Sequence, residues 1–120
     1  MRAVVRGIDP NDYPGWDRFV SAVIPEPWDH FGWFTVVIGT EGGSGGDLFQ
    51  VLVTTPAAVS RSRRGTCDFR VLVVDSFEPE VIARAIRDYV ASVTGNTWDE
   101  LVTQLQRVMY WEYEGMPAPQ

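Results

Sequence analysis

Gly95-Asn96-Thr97-Trp98-Asp99-Glu100 is the stretch that decides the fold, because it lies where two amphipathic helices meet. Thr97 and Glu100 have the spacing of a capping box. In that motif the Thr97 hydroxyl accepts from the Glu100 backbone N–H, and the Glu100 carboxylate accepts from the Thr97 N–H. Gly95 stands where the preceding helix must end, and we expect it to adopt a left-handed C-cap conformation. The hexapeptide therefore predicts a helix end, a turn and a new helix, with no catalytic role.

Two amphipathic helices are predicted on either side of this hexapeptide. We expect Asp75-Ser76 to cap the first, with Glu78 and Glu80 in its first turn, where the helix dipole favours negative charge. The apolar stripe of this helix comprises Val81, Ile82, Ala85, Ile86, Tyr89, Val90 and Val93. The stripe of the second helix comprises Trp98, Leu101, Val102, Leu105, Val108 and Met109. Each stripe predicts one buried helix face.

Four strands are predicted from runs rich in β-branched and aromatic residues, at 2–8, 32–39, 48–54 and 69–74. The second run is apolar on both faces, which predicts a central strand buried on both sides. The segment Gly42–Gly46 follows it, and a glycine-rich segment between two strands predicts a hairpin loop. A phosphate cradle is the weaker interpretation of this loop, because the Lys-Ser/Thr pair of a P-loop is missing.

Three shorter elements complete the outline. Apolar residues over 16–23 recur with helical spacing, and Thr55-Pro56 predicts another short helix with Thr55 as its N-cap. Trp111-Glu112-Tyr113-Glu114 alternates aromatic with acidic residues, which predicts an extended segment with both carboxylates exposed. We expect Trp98 and Trp111 to lie in the core.

The order of these elements predicts the fold class. Strands followed by helices indicate an α+β domain: a mainly antiparallel sheet of about four strands, covered on one face by two C-terminal helices. A chain of 120 residues and 13.5 kDa fits a single domain over residues 1–120. Residues 115–120, with two prolines, are expected to form a flexible tail.

Charge limits the classes of partner. The formal net charge is -6 and the pI is about 4.6, which argues against nucleic-acid binding and is compatible with a basic protein partner. The one basic cluster, Arg61–Arg64, is interpreted as a solvated loop compensated by nearby carboxylates; the weaker alternative is an anion contact. The sequence predicts neither a signal peptide nor a membrane span, so we expect a cytoplasmic protein without a membrane partner.

No enzyme signature emerges from the residues. One cysteine, Cys67, cannot form an internal disulfide, and with His30 as the sole histidine it does not make a zinc site. We expect no catalytic residue, no cofactor and no metal. A small hydrolase is the third and weakest interpretation, because His30 and Cys67, or two carboxylates, would have to converge in one cleft.

Four segments in this order resemble a known family. They are Phe49–Pro56, Asp75-Ser76-Phe77-Glu78, Gly95–Leu101 and Trp111–Glu114. Their order and spacing resemble the Immunity protein 8 family of bacterial polymorphic toxin systems. The likeness covers nearly the whole chain and is most specific over 48–114, while residues 1–30 depart from it.

The resemblance implies a non-enzymatic cytoplasmic antitoxin that binds a cognate toxin domain and blocks its active site or substrate path. Our own hypothesis is that the acidic balance suits a basic toxin such as a nuclease. The candidate toxin-binding carboxylates are Asp75, Glu78, Glu80, Asp99, Glu112 and Glu114. The alternative is a non-enzymatic structural or regulatory subunit of a larger assembly, which uses the same sheet to form a homo-oligomer.

Overall fold

A five-stranded sheet forms the frame of the molecule, which a computed structural model describes over residues 1–65 and 68–115. The strands are β1 (Ala3–Pro10), β2 (Phe31–Thr40), β3 (Asp47–Thr54), β4 (Leu72–Val73) and β5 (Tyr110–Trp111). The first three form an antiparallel meander. Both β4 and β5 pair with the outer edge of β3, the former in parallel and the latter antiparallel.

The helices α1 (Trp16–Ser21), α3 (Pro79–Ser92) and α4 (Trp98–Leu105) cover one face of this sheet. The short helix α2 (Val59–Ser62) follows a 3-10 turn over Pro56–Ala58, and its Arg61 lies over the ring of Phe31. The buried residues of α3 and α4 join one core cluster with the inward side chains of β2 and β3. The predicted fold class is therefore confirmed, with a fifth strand supplied by the short pairing of β5.

The core forms where alternate residues of β2 and β3 point toward α3 and α4. Phe34 faces Val51 and Val36 faces Phe49 across the two strands, and all four are at most 1% exposed. The opposite face of β2 is open, since Trp33 is 38% exposed. The prediction that β2 is buried on both sides was therefore wrong, because the two long helices lie on a single face.

The boundary between α3 and α4 follows the predicted capping, with two corrections. The Thr97 hydroxyl accepts from the Glu100 N–H at 3.2 Å, but the Glu100 carboxylate accepts from the N–H of Asn96, at 2.6 Å, and not from that of Thr97. The helix α3 ends earlier, with Val93 in an extended conformation as its C-cap. Gly95 is therefore not the predicted left-handed cap. Glycine is needed at position 95 because an added Cβ there would lie 2.8 Å from the Cβ of Glu100.

Both long helices are shorter than their sequence patterns indicate. α3 begins at Pro79 with Glu78 as N-cap, not at Asp75-Ser76. The fixed φ and missing N–H of proline suit the first helical position, which explains this start. α4 ends at Leu105, yet Met109 in the turn beyond it is fully buried.

The edge of β3 also departs from prediction. The expected strand over 69–74 pairs only at Leu72–Val73, and it runs parallel to β3. The segment Trp111–Glu114 is extended only at its start, because the Glu114 N–H donates to the Trp111 carbonyl and closes a turn. The hairpin loop after β2 is confirmed, and the Arg6 guanidinium donates to the carbonyls of Thr40 and Gly43 at 2.7 and 2.6 Å.

Candidate partner-binding surfaces

An open groove lies between α1 and the start of α3, and we call it the α1–α3 groove. Its volume is about 600 Å³, and it is lined by Trp16, Val20, Glu78, Pro79, Glu80, Val81 and Ala83. The helix α1 is held in place by Phe19, which is 1% exposed and packs edge-on against Trp16 at 5.4 Å and Phe34 at 5.5 Å. Val20, one residue later, points away from this cluster and is 55% exposed.

Two of the predicted site residues, Glu78 and Glu80, line this groove. Asp75 precedes them in the chain and is exposed, but it does not line the groove. Asp99 lies apart, in the first turn of α4, and is also exposed. Among residues 1–65 and 68–115, these four carboxylates form no side-chain hydrogen bond or ion pair. Within the described part of the chain, these carboxylates are therefore free of direct ion pairs.

Glu112 is engaged inside the fold. Its carboxylate accepts from the Leu48 backbone N–H, and its own N–H donates to the Leu48 carbonyl at 3.0 Å. The hydrogen bond with this carboxylate raises the pKa of the neighbouring Tyr113 phenol. Glu112 therefore extends the pairing of β5 with β3, a role that the alternating sequence pattern did not indicate.

Glu114 is engaged in a cluster that we call the Arg70 clamp, formed by Arg70, Asp68, Glu114 and Tyr110. Arg70 donates to both carboxylate oxygens of Glu114, at 2.6 and 2.5 Å, and to Asp68 at 2.9 Å. Its guanidinium carbon lies 3.9 Å from the centre of the Tyr110 ring. The same guanidinium also donates to the backbone carbonyls of Gln106 and Met109. The Arg70 side chain thus links the segment before β4 to the segments on both sides of β5.

The Arg70 clamp makes the free energy of unfolding depend on pH in the acidic range. Hydrogen bonds from Arg70 lower the pKa of Asp68 to about 2 and also lower the pKa of Glu114. Because these folded-state pKa values lie below the unfolded ones, the contribution is complete above about pH 5 and is lost as pH falls toward 2. We expect Glu114→Gln to melt below the wild type at pH 6, with the difference shrinking as pH falls below the ordinary glutamate pKa of about 4.3. Thermal melts of both proteins over this pH range test the prediction. A difference in melting temperature that stays constant with pH would contradict it.

The face of the sheet opposite α3 and α4 is a second exposed surface, the open sheet face. Trp33 lies 5.7 Å from Tyr110 on this face, ring centre to ring centre. Three polar side chains beside them satisfy one another: Asn11 donates to Gln50, Gln50 to Thr35 and Thr35 to Asn11, at 2.8 to 2.9 Å. The face is therefore aromatic and polar, and these three polar side chains already have hydrogen-bond partners.

Two arginines of the basic cluster Arg61–Arg64 have contacts within the fold. Arg61 forms an ion pair with Asp29 at 2.9 Å, and Arg63 stacks on Phe69 at 3.8 Å. This ion pair confirms, for Arg61, the prediction that a nearby carboxylate compensates the positive charge of the loop. His30 packs edge-on against Phe77 at 4.7 Å, and Cys67, which the hydrolase interpretation needed, lies outside the described residues.

Two searches of the described residues complete the inventory. Within 1–65 and 68–115, no three His, Cys, Asp or Glu side chains are grouped as metal ligands. In that same part of the chain, no helix has the length and apolar character needed to cross a membrane.

Comparison with known families adds an independent observation. The sequence profile described as Immunity protein 8 matches residues 7–116. The chain belongs to the Immunity protein 8 family. The match starts within the first thirty residues, which had departed from the resemblance. No curated protein and no solved structure gives a significant match. Membership assigns the chain to the immunity proteins of toxin systems.

The segments that carry the Immunity protein 8 resemblance have structural roles. Thr55 is the N-cap of the turn that begins at Pro56, and its hydroxyl accepts from the His30 N–H at 3.1 Å. Thr97 caps α4, and Trp98 and Trp111 both donate through their indole N–H groups to Asp47, at 3.2 and 3.0 Å. These motifs hold the fold together, so the partner contacts must be sought on the exposed surfaces.

Proposed function

We propose that this protein binds a cognate toxin domain in the cytoplasm of the producing cell and neutralises it by occlusion, without catalysis. Family membership supports an immunity role. The observation that carries the proposal is the position of Glu78 and Glu80, which border an exposed groove and whose carboxylates form no ion pair within residues 1–65 and 68–115. Charge next to apolar surface is the composition expected of an interface that steers and then holds a partner.

The partner that fits this surface is a basic toxin, as a nuclease that binds phosphate would be. Asp75 and Asp99 add exposed negative charge outside the groove and would contribute to attraction over distance. Glu112 and Glu114 stay candidates, but their carboxylates already accept from Leu48 and Arg70. We therefore expect smaller effects on binding from Glu112 and Glu114 than from Glu78 and Glu80.

A growth-rescue test addresses the proposal. The toxin domain encoded beside this gene is expressed with and without the protein, and a catalytically inactive toxin variant is used to isolate the complex. We expect rescue of growth, a stable complex, and binding that weakens with rising salt because the contact is electrostatic. An unrelated toxin is the control for specificity.

The alternative, a structural or regulatory subunit, is favoured by one observation: the open sheet face leaves Trp33 38% exposed, on a surface suited to a homo-oligomer. A folded protein that gives neither rescue nor complex, and that self-associates in sedimentation experiments, would replace toxin neutralisation with this role.

A further inference from the structure

We propose that the α1–α3 groove seats an arginine- or lysine-bearing segment of the toxin, with the cation against Glu78 and Glu80 and its aliphatic stem across Val20 and Trp16. This inference rests on the proposed function and specifies which surface and which partner chemistry carry it. The groove, at about 600 Å³, is larger than one side chain requires, so it has room for a short segment of several residues.

The apolar wall supplies the first part of the argument. Val20 is 55% exposed, although it follows Phe19, which is the buried anchor of the same six-residue helix. Pro79 and Val81 line the groove opposite and are only partly buried. A single exposed valine is unremarkable, but an exposed valine that shares a groove with Trp16, Pro79 and Val81 is an apolar surface that a partner can cover.

The charge of the groove selects the occupant. Glu78 and Glu80 line it, and no arginine lines it beside them. Arg84 follows Glu80 by four residues on α3, yet no ion pair joins them among the described residues. Phosphate groups would be repelled here. Lysine and arginine satisfy both parts of the groove, because a charged head ends an apolar stem. The Trp16 ring adds a surface on which a cation can stack.

Two pairs of matched variants test this groove against the catalytically inactive toxin domain encoded beside this gene. Val20→Arg places a cation in the groove, and Val23→Arg, at a position that is 89% exposed and does not line the groove, is its control. Glu78→Gln with Glu80→Gln removes the two carboxylates. Its control is Glu41→Gln with Asp88→Asn, which makes the same change in net charge at exposed sites away from the groove.

We expect each groove variant to bind at least about tenfold more weakly than its control, while remaining folded at the temperature of the titration. The double glutamine variant should also lose part of the salt dependence of binding, which a purely structural role would not change. Calorimetry or biosensor titration at several salt concentrations measures both quantities.

The outcomes separate this inference from the function on which it rests. If wild type binds and rescues but groove variants match their controls, the groove assignment is wrong and immunity stands. A loss of binding on Trp33→Ser under those conditions would place the contact on the open sheet face instead. If the wild-type protein neither binds nor rescues, the proposed function fails and the groove assignment fails with it.

Discussion

Arg70→Met is expected to lower the free energy of unfolding by about 2–3 kcal/mol. Arg70 is the donor that holds Glu114 and the carbonyls of Gln106 and Met109, and its side chain is only 19% exposed. Removing it leaves a partly buried carboxylate and two carbonyls without this donor, and hydrogen bonds to charged groups are the costly ones to lose. Urea denaturation at neutral pH measures the change.

The size of this effect follows from how the edge of β3 is built. β4 and β5 each pair with β3 over only two residues, so backbone pairing alone holds them weakly. Arg70 joins the segment before β4 to the segments on both sides of β5. Trp111 in β5 packs against the core, so release of β5 also exposes apolar surface.

Two further variants make the Arg70 result specific. Arg107→Met makes the same change in charge at an exposed position with no ion pair in the described part of the chain, so it should leave stability nearly unchanged. Arg70→Lys keeps the charge but loses the bidentate contact with Glu114 and the stacking on Tyr110, so it should recover only part of the loss. Equal stability of Arg70→Met and Arg107→Met would show that the clamp does not hold the strand edge.

Local patterns were sufficient for the elements whose partners are close in sequence. Runs of β-branched and aromatic residues predict β2 and β3, and the spacing of Thr97 and Glu100 predicts the start of α4. Both signals depend on local backbone preference and on contacts within a few residues, which a sequence records directly. The fold class followed, because strands before helices leave few ways to cover a sheet.

Contacts between distant residues could not be read in this way. Asp47 accepts from the indoles of Trp98 and Trp111, 51 and 64 residues away, yet in the sequence it is only the residue that follows the glycine-rich segment. Arg70 appears in the sequence as one alternating position of a predicted strand, and its Glu114 partner is 44 residues distant. No local periodicity records which carboxylate a given arginine will meet, because that depends on tertiary packing.

The same limit applies to the candidate site. Charge and predicted exposure, which mark the six candidate carboxylates in the sequence, do not separate free groups from bonded ones. The structure makes this separation: Glu112 and Glu114 bond within the fold, whereas Glu78 and Glu80 border a groove. The groove itself requires α1 and α3 to meet, and Val20 carried no signal in the sequence beyond a short helical pattern.

Gly39→Ala is expected to destabilise the protein by about 2 kcal/mol, whereas Gly7→Ala should leave it nearly unchanged. Both glycines lie in neighbouring strands of the sheet. A Cβ at Gly39 would overlap the carbonyl oxygen of Gly45 and lie 2.8 Å from Nε of Arg6, while a Cβ at Gly7 meets nothing within 4 Å. The two substitutions add the same methyl group, and the main difference between the two sites is the close approach of other atoms at Gly39.

The cost at Gly39 is large because the neighbouring atoms cannot move independently. Arg6 donates to the carbonyls of Thr40 and Gly43, so displacing its guanidinium breaks the bonds that fold the glycine-rich loop back over β2. The Gly45 carbonyl belongs to that same loop, and its retreat would pull on the first residues of β3. Urea midpoints of the two alanine variants measure the difference. Equal midpoints would mean that the loop moves away freely, and that glycine at position 39 is not required by this close approach.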